Sequence, residues 1–211
     1  MSKKRVADHG EVLTSKREVN AMLDMVKQET ERIESRFLEP ACGTGNFLSE
    51  ILERKLDVVE SRYCKSQLEF ERNAVLAVSS IYGIDILEDN VQECRKRLFE
   101  IFDARYTRLF KECAKNECRD SAMYILNRNI IHGDALDLKT VGNNPRPIMF
   151  SEWSPVNGSM LKRRDFMLSF LLDKQHQLVL FSDENNEAYL NEPVKEYPLT
   201  HFLEVANVDK Q

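Results

Sequence analysis

No apolar run in this sequence approaches the roughly 20 residues that a bilayer crossing requires, so no membrane span is expected. The start, Met1-Ser2-Lys3-Lys4-Arg5, is basic, but no apolar stretch follows it. It therefore does not read as a secretory signal, and the expected compartment is the cytoplasm. The five cysteines, Cys42, Cys64, Cys94, Cys113 and Cys118, are odd in number and show no zinc-ribbon or redox spacing. They read as reduced, structural thiols. His9, His132, His176 and His201 have no ligand spacing with acids or cysteines, so no metal site is expected. Nor is there an excess of positive charge: the net charge of −5 provides no overall footprint for nucleic acid. Such contacts would have to be local, at Lys3, Lys4, Arg5, Lys16 and Arg17 or at Lys162-Arg163-Arg164, each of which also reads as solvated surface charge. Internal repeats and low-complexity tracts are absent as well.

The 211 residues, 42% apolar and 31% charged, suit one α/β domain with at most a small appendage. Val19, Leu23, Val26 and Ile33 have the spacing of an amphipathic helix. A short extended stretch, Arg36 to Glu39, meets Pro40 and a glycine turn, and Phe47, Leu48, Ile51, Leu52 and Leu56 then resume helical spacing. This is strand, turn, helix. A helix over Leu68 to Ser80 leads into a second strand, Ile81 to Ile86, ending near Asp85. Val91, Cys94, Leu98, Ile101, Phe102, Leu109 and Cys113 predict one long helix or two consecutive ones from Glu88 to about Leu126, more than a minimal crossover needs. Asn129 to Asp134 gives a third strand and turn, and Pro147 to Phe150 a fourth apolar run. Strands alternating with helices predict a parallel, doubly wound sheet. Further on, Gln177 to Phe181 and Glu187 to Leu190 flank Ser182 to Asn186 as a plausible hairpin.

Ligands of open α/β sheets gather at the carboxyl ends of the strands, where glycines let backbone approach them and helix amino termini favour anionic groups. Gly43 and Gly45 stand at such a place. A lone Gly-x-Gly is also common for purely conformational reasons. The full string Glu39-Pro40-Ala41-Cys42-Gly43-Thr44-Gly45-Asn46-Phe47 is far more specific. It resembles the first motif of the N6-adenine DNA methyltransferases, Asp/Glu-Pro-x-Cys/Ala-Gly-Ser/Thr-Gly followed by a small or polar residue and an aromatic. The resemblance implies a Rossmann-like methyltransferase fold, to which the long helical stretch from Glu88 and the hairpin pattern near the end add the expectation of a helical insertion and a small β-rich C-terminal appendage. It also implies an S-adenosylmethionine site in which Glu39, Ala41, Gly43 and Gly45 surround the methionine part.

Gly83-Ile84-Asp85-Ile86 ends the next strand, where an acidic side chain can accept from both ribose hydroxyls. An N-cap of the following helix is the alternative reading of Asp85, though it leaves the preceding Gly-Ile unexplained. Ile86 is expected to pack on the adenine ring. Asn129 to Leu136 resembles the family's third motif, which implies that Asp134 accepts from the adenine amino group; a turn-forming Asp is the alternative. Upstream, Ala7 to Ser15 resembles a Gly-x-x-Phe/Tyr-Thr-Pro element, with Thr14 as the matching hydroxyl, Leu13 in place of the aromatic and Ser15 in place of the proline. The matches fall in the family's order and cover residues 7 to 136.

The family's catalytic Asp/Asn/Ser-Pro-Pro-Tyr/Phe element, expected after the fourth strand, has no counterpart here. Ser151-Glu152-Trp153-Ser154-Pro155 occupies that position, and only Glu152 as acceptor and Trp153 as stacking platform suggest themselves. A lone Trp beside an apolar strand is more often core or rim. The expected organisation is a cofactor-binding domain over residues 1–160 with a β-rich extension over 161–211. The expected activity is methyl transfer to adenine N6 in DNA with a partner subunit of the restriction-system type. A noncatalytic module that keeps the fold is the rival.

Overall fold

The computed structural model describes residues 14–172 and 192–210. They form a mixed α/β architecture. Three parallel strands, β1 (Phe37–Glu39), β2 (Ile81–Asp85) and β3 (Ile130–Asp134), lie side by side in chain order, and short β4 (Lys139–Thr140) joins β3 in the antiparallel sense. All of β2 is buried, as a central parallel strand requires. Its side chains alternate between two cores: Ile81 lies among the helices, while Tyr82 and Ile84 pack with Ile148, Phe150 and Leu168.

The helical layer comprises α1 (Lys16–Asp24), α2 (Lys27–Thr30), α3 (Asn46–Tyr63), α4 (Gln67–Ser79), α5 (Glu88–Phe110) and α6 (Asn116–Asn129). Ser15 and Glu18 close a capping box on α1, satisfying amides that the first turn leaves without partners. The single helix expected over 19–33 is interrupted. Val19 and Leu23 are buried, but Val26 is exposed and leaves helical geometry before α2, so packing does not hold the helix together there. Between α5 and α6 stands one 3-10 turn, Lys111–Cys113. The fully buried Glu71 of α4 ties these helices together, accepting from Tyr106, from Gln67 at 2.7 Å and from Lys115 at 2.9 Å.

The run expected as a fourth parallel strand belongs elsewhere. β5 (Met149–Val156) continues past Phe150, reverses through Asn157 and Gly158, and pairs antiparallel with β6 (Met160–Met167). Of the three turn residues, Asn157 to Ser159, the first two have positive φ, a geometry that Asn and Gly accept at low cost. β7 (Lys195–Glu196) and β8 (Thr200–His201) complete this second sheet. Among the described residues the first sheet keeps the order β1-β2-β3-β4, with no strand on the outer side of β1; the reversal of strand order in a doubly wound sheet is not among them. The division expected at residue 160 falls where β6 begins, within one hairpin. The hairpin expected over 177–190 lies outside the described residues. Among the described residues no helix is long and apolar enough to cross a membrane.

Candidate functional site

At the carboxyl ends of β1, β2 and β3 lies a cavity of about 660 Å³. That size is within the range of roughly 300 to 1,000 Å³ usual for small-ligand sites. Thr14, Glu39, Ala41, Gly43, Asp85, Ile86 and Asp134 all line it. The eighth residue named from the cofactor motifs, Gly45, does not line it and packs instead against Cys94.

The glycine turn is held by its backbone. Cys42 N–H donates to Ile84 O at 2.9 Å, Gly45 N–H to Cys42 O at 2.8 Å, and Ser49 N–H to Gly45 O at 2.8 Å. Gly43 and Gly45 have φ of +52° and +84°, left-handed values that most side chains resist. Gly45 is further constrained by contact, because a Cβ there would stand 2.7 Å from Cys94 Sγ. Close packing of α3 against α5 therefore requires glycine at this N-cap.

Asp85 is buried, and its carboxylate is already engaged. Oδ2 accepts from Gly43 N–H at 2.8 Å; Oδ1 accepts from Leu87 N–H at 2.9 Å and from Asn90 Nδ2 at 3.2 Å. It does not cap α5, whose N-cap is Leu87. Asp134 closes a turn through Oδ1, which accepts from Leu136 N–H at 2.8 Å and Asp137 N–H at 3.3 Å, while still lining the cavity. Glu39 accepts weakly from Ala41 N–H at 3.4 Å, and burial raises its carboxyl above the usual range. Cys42, in the cavity wall, is held strongly toward the neutral thiol by hydrogen bonding with Cys94 and by burial. It is not an activated nucleophile.

Three carboxylates thus line the cavity, and no Lys, Arg or His is among the described residues that line it. This charge pattern disfavours phosphate groups and favours a cationic ligand. Phe47, Ala135 and Leu136, which the motif reading gave no role in the site, supply apolar wall together with Leu87, and Leu136 is 94% exposed at the rim. Asn46 joins Thr14 to the site, donating to Thr14 O at 3.2 Å and accepting from Arg97 at 2.6 Å. Asn90, another lining residue, carries a signal in the sequence: it falls in the first turn of α5, close behind Asp85.

Glu152 and Trp153 are not part of this site. Trp153 is buried, donates its indole N–H to Asn129 Oδ1 at 3.3 Å and meets the Tyr124 ring edge-on. Alternation along β5 turns it into the helical core, where no base has access to its face. Glu152 pairs with Arg36 and lies 3.4 Å from Arg164, beside a separate apolar cleft of about 230 Å³.

The chain matches no protein-family model, no curated protein and no solved structure. Among the described residues no group of three or more His, Cys, Asp or Glu side chains is arranged to hold a metal ion.

Proposed function

We propose that this chain binds S-adenosylmethionine through a Rossmann-like half-sheet of the N6-adenine methyltransferase type, and that methyl transfer to adenine N6 in DNA requires a partner subunit to supply the acceptor site. The observation that carries this reading is the convergence of Thr14, Glu39, Ala41, Gly43, Asp85, Ile86 and Asp134 on one cavity at the ends of three adjacent parallel strands. These residues are spread over more than half of the sequence, and no local preference would gather them.

The chemistry of the walls fits the ligand. Glu39 would face its cationic methionine part, Asp85 its ribose, and Ile86, Ala135 and Leu136 its base, with Asp134 toward the exocyclic amine. A dinucleotide or nucleoside triphosphate would bring phosphate toward three carboxylates. When bound, the ligand supplies an electrophilic methyl group; this chain's residues bind and orient it.

The acceptor side is where a partner enters. Glu152 and Trp153 do not line the cavity, and among the described residues nothing else in its wall resembles the missing Pro-Pro element. That same observation favours a second reading, a regulatory module that senses the ligand without transferring its methyl group. Calorimetry with S-adenosylmethionine tests the pocket, which is expected to bind in the micromolar range and to lose at least tenfold in Asp85→Ala. A folded sample that does not bind, or that binds equally after the substitution, overturns the assignment. Labelled-methyl transfer to adenine-containing DNA, with and without candidate partner subunits, separates the two readings.

A further inference from the structure

The outer edge of β1 is open among the described residues, where that strand pairs only with β2. Phe37 donates its N–H to Ser80 O at 3.0 Å, on the β2 side. Alternation along the strand turns the N–H and C=O of Leu38 to the other side, where an edge strand offers its backbone to an added one. Leu38 also lines the apolar cleft of about 230 Å³, together with Phe37, Tyr82, Phe150, Phe166 and Leu171. The cleft is smaller than the roughly 300 Å³ at which small-ligand sites begin, so it suits one anchoring side chain rather than a whole small molecule. Leu38 and Leu171 are 42% and 40% exposed, apolar surface that such an anchor would cover.

The lip of the cleft is charged. Arg36 and Arg164 share one carboxylate, Glu152, while Lys162 pairs with Glu196 at 2.9 Å. Among these groups three cations stand against two carboxylates, and Arg36, with its side chain 54% exposed, presents the surplus to solvent. An isologous pairing of two copies of this chain would set one positive lip against another. A nucleic acid would answer the charge but leave the backbone of Leu38 without a strand to pair with.

We propose that the β1 edge and this cleft form a docking surface for an extended, acidic segment of a partner polypeptide. The segment adds a strand beside Leu38, buries one large apolar side chain in the cleft, and sets a carboxylate two residues along, on the same face, beside Arg36. Because β1 also carries Glu39 at its carboxyl end, a partner docked on this edge stands next to the ligand cavity. The surface does not depend on what that cavity binds.

The probe is a labelled peptide of alternating valine and threonine that carries one phenylalanine and, two residues on, one aspartate. It is titrated into the full chain by fluorescence anisotropy, without S-adenosylmethionine. Saturable one-to-one binding is expected. Replacing the peptide's phenylalanine by alanine, replacing its aspartate by lysine, or introducing Leu38→Lys into the protein is expected to weaken binding by about tenfold. Arg36→Glu is expected to reverse the preference, so that the lysine peptide binds better than the aspartate peptide. Absence of saturable binding to the folded protein overturns the proposal, and so does binding indifferent to the peptide's phenylalanine or to Arg36→Glu. Displacement of the peptide by an oligonucleotide assigns the cleft to nucleic acid, and a dimer in sedimentation equilibrium that the peptide dissociates assigns it to a second copy. Either result overturns the proposal as well. Every arm is read without S-adenosylmethionine, so a failure here and a failure of the cofactor assignment are told apart.

Discussion

Gly43 donates its backbone N–H to Oδ2 of Asp85 at 2.8 Å, locking the turn after β1 to the end of β2. The bond does two things at once: it fixes the left-handed glycine turn and aims the carboxylate that faces the cavity. Asp85→Asn therefore places an amide against donors it cannot all satisfy. A lost acceptor with buried donors left behind costs about 1 to 3 kcal/mol. Urea denaturation is expected to show a loss of that order, together with at least tenfold weaker S-adenosylmethionine binding. Wild-type affinity in this variant contradicts the role of Asp85 in the site.

The two turn glycines separate backbone strain from crowding. Gly43→Ala adds a methyl group to open space at φ +52°, so only the left-handed penalty of about 1 to 2 kcal/mol applies. Gly45→Ala pays the same penalty and also drives its Cβ to 2.7 Å from Cys94 Sγ. The second variant is expected to be the less stable by at least about 1 kcal/mol. Adding Cys94→Ala to it should recover the crowding part and leave the strain. Equal stabilities for the two single variants in urea titrations count against this division.

The site was largely legible in the sequence because its signals are local. A Gly-x-Gly turn, an acid at a strand end and an Asp after Gly each follow from what a few adjacent residues must do, and Gly43, Asp85 and Asp134 do meet around one cavity. Glu152 and Trp153 were not legible in the same way, because their directions depend on a hairpin register fixed by pairing with Arg164 and Arg163. The Asn157-Gly158 pair between two segments of alternating burial is the signal that marks this hairpin. Asn90 stands close behind Asp85 in the sequence, but its place in the cavity wall depends on how the first turn of α5 packs, which no local signal states.

Glu39 predicts a pH dependence of ligand affinity. Burial raises its carboxyl above the ordinary 4.5, and a cationic ligand favours the ionised form. Affinity for S-adenosylmethionine is therefore expected to fall as pH drops through that raised value. In Glu39→Gln the acid-side fall should flatten, with weaker binding at neutral pH. Calorimetry from pH 7.5 down to the edge of folding checks this, and an unchanged profile in the variant removes Glu39 from contact with the cation.

Lys55 predicts a pH dependence of stability instead. Its buried ammonium donates to Arg32 O and Ile33 O at 3.0 Å, to Ser80 Oγ at 2.8 Å and to Ser35 O, yet burial lowers it from 10.5 to about 7. A lowered folded value means that the unfolded chain binds the proton more tightly. Its contribution is thus fully present above pH 10.5 and is lost as pH falls through about 7. Lys55→Met is expected to be less stable throughout, since it strands three carbonyls, and its deficit relative to the wild type should widen between pH 7 and 10. A deficit that narrows with rising pH has the wrong sign for a neutralised lysine.

Trp153 separates the core from the site. Its indole N–H bonds Asn129 Oδ1, and Asn129 Nδ2 in turn donates to Ser79 O and Ile81 O, both at 3.1 Å, so the ring helps anchor α6 to the start of β2. Trp153→Phe keeps an aromatic against Tyr124 but leaves Asn129 one donor short, a loss of about 1 to 2 kcal/mol. Trp153→Ala also opens a cavity and is expected to cost about 3 to 5 kcal/mol. Neither change touches a residue that lines the ligand cavity. S-adenosylmethionine affinity, measured where each variant is fully folded, is therefore expected to stay within about twofold of wild type. A base-stacking Trp would behave oppositely, with stability hardly altered by Phe and methyl transfer collapsing in Ala. Unfolding midpoints and affinities from the same two variants decide between a core tryptophan and a catalytic one.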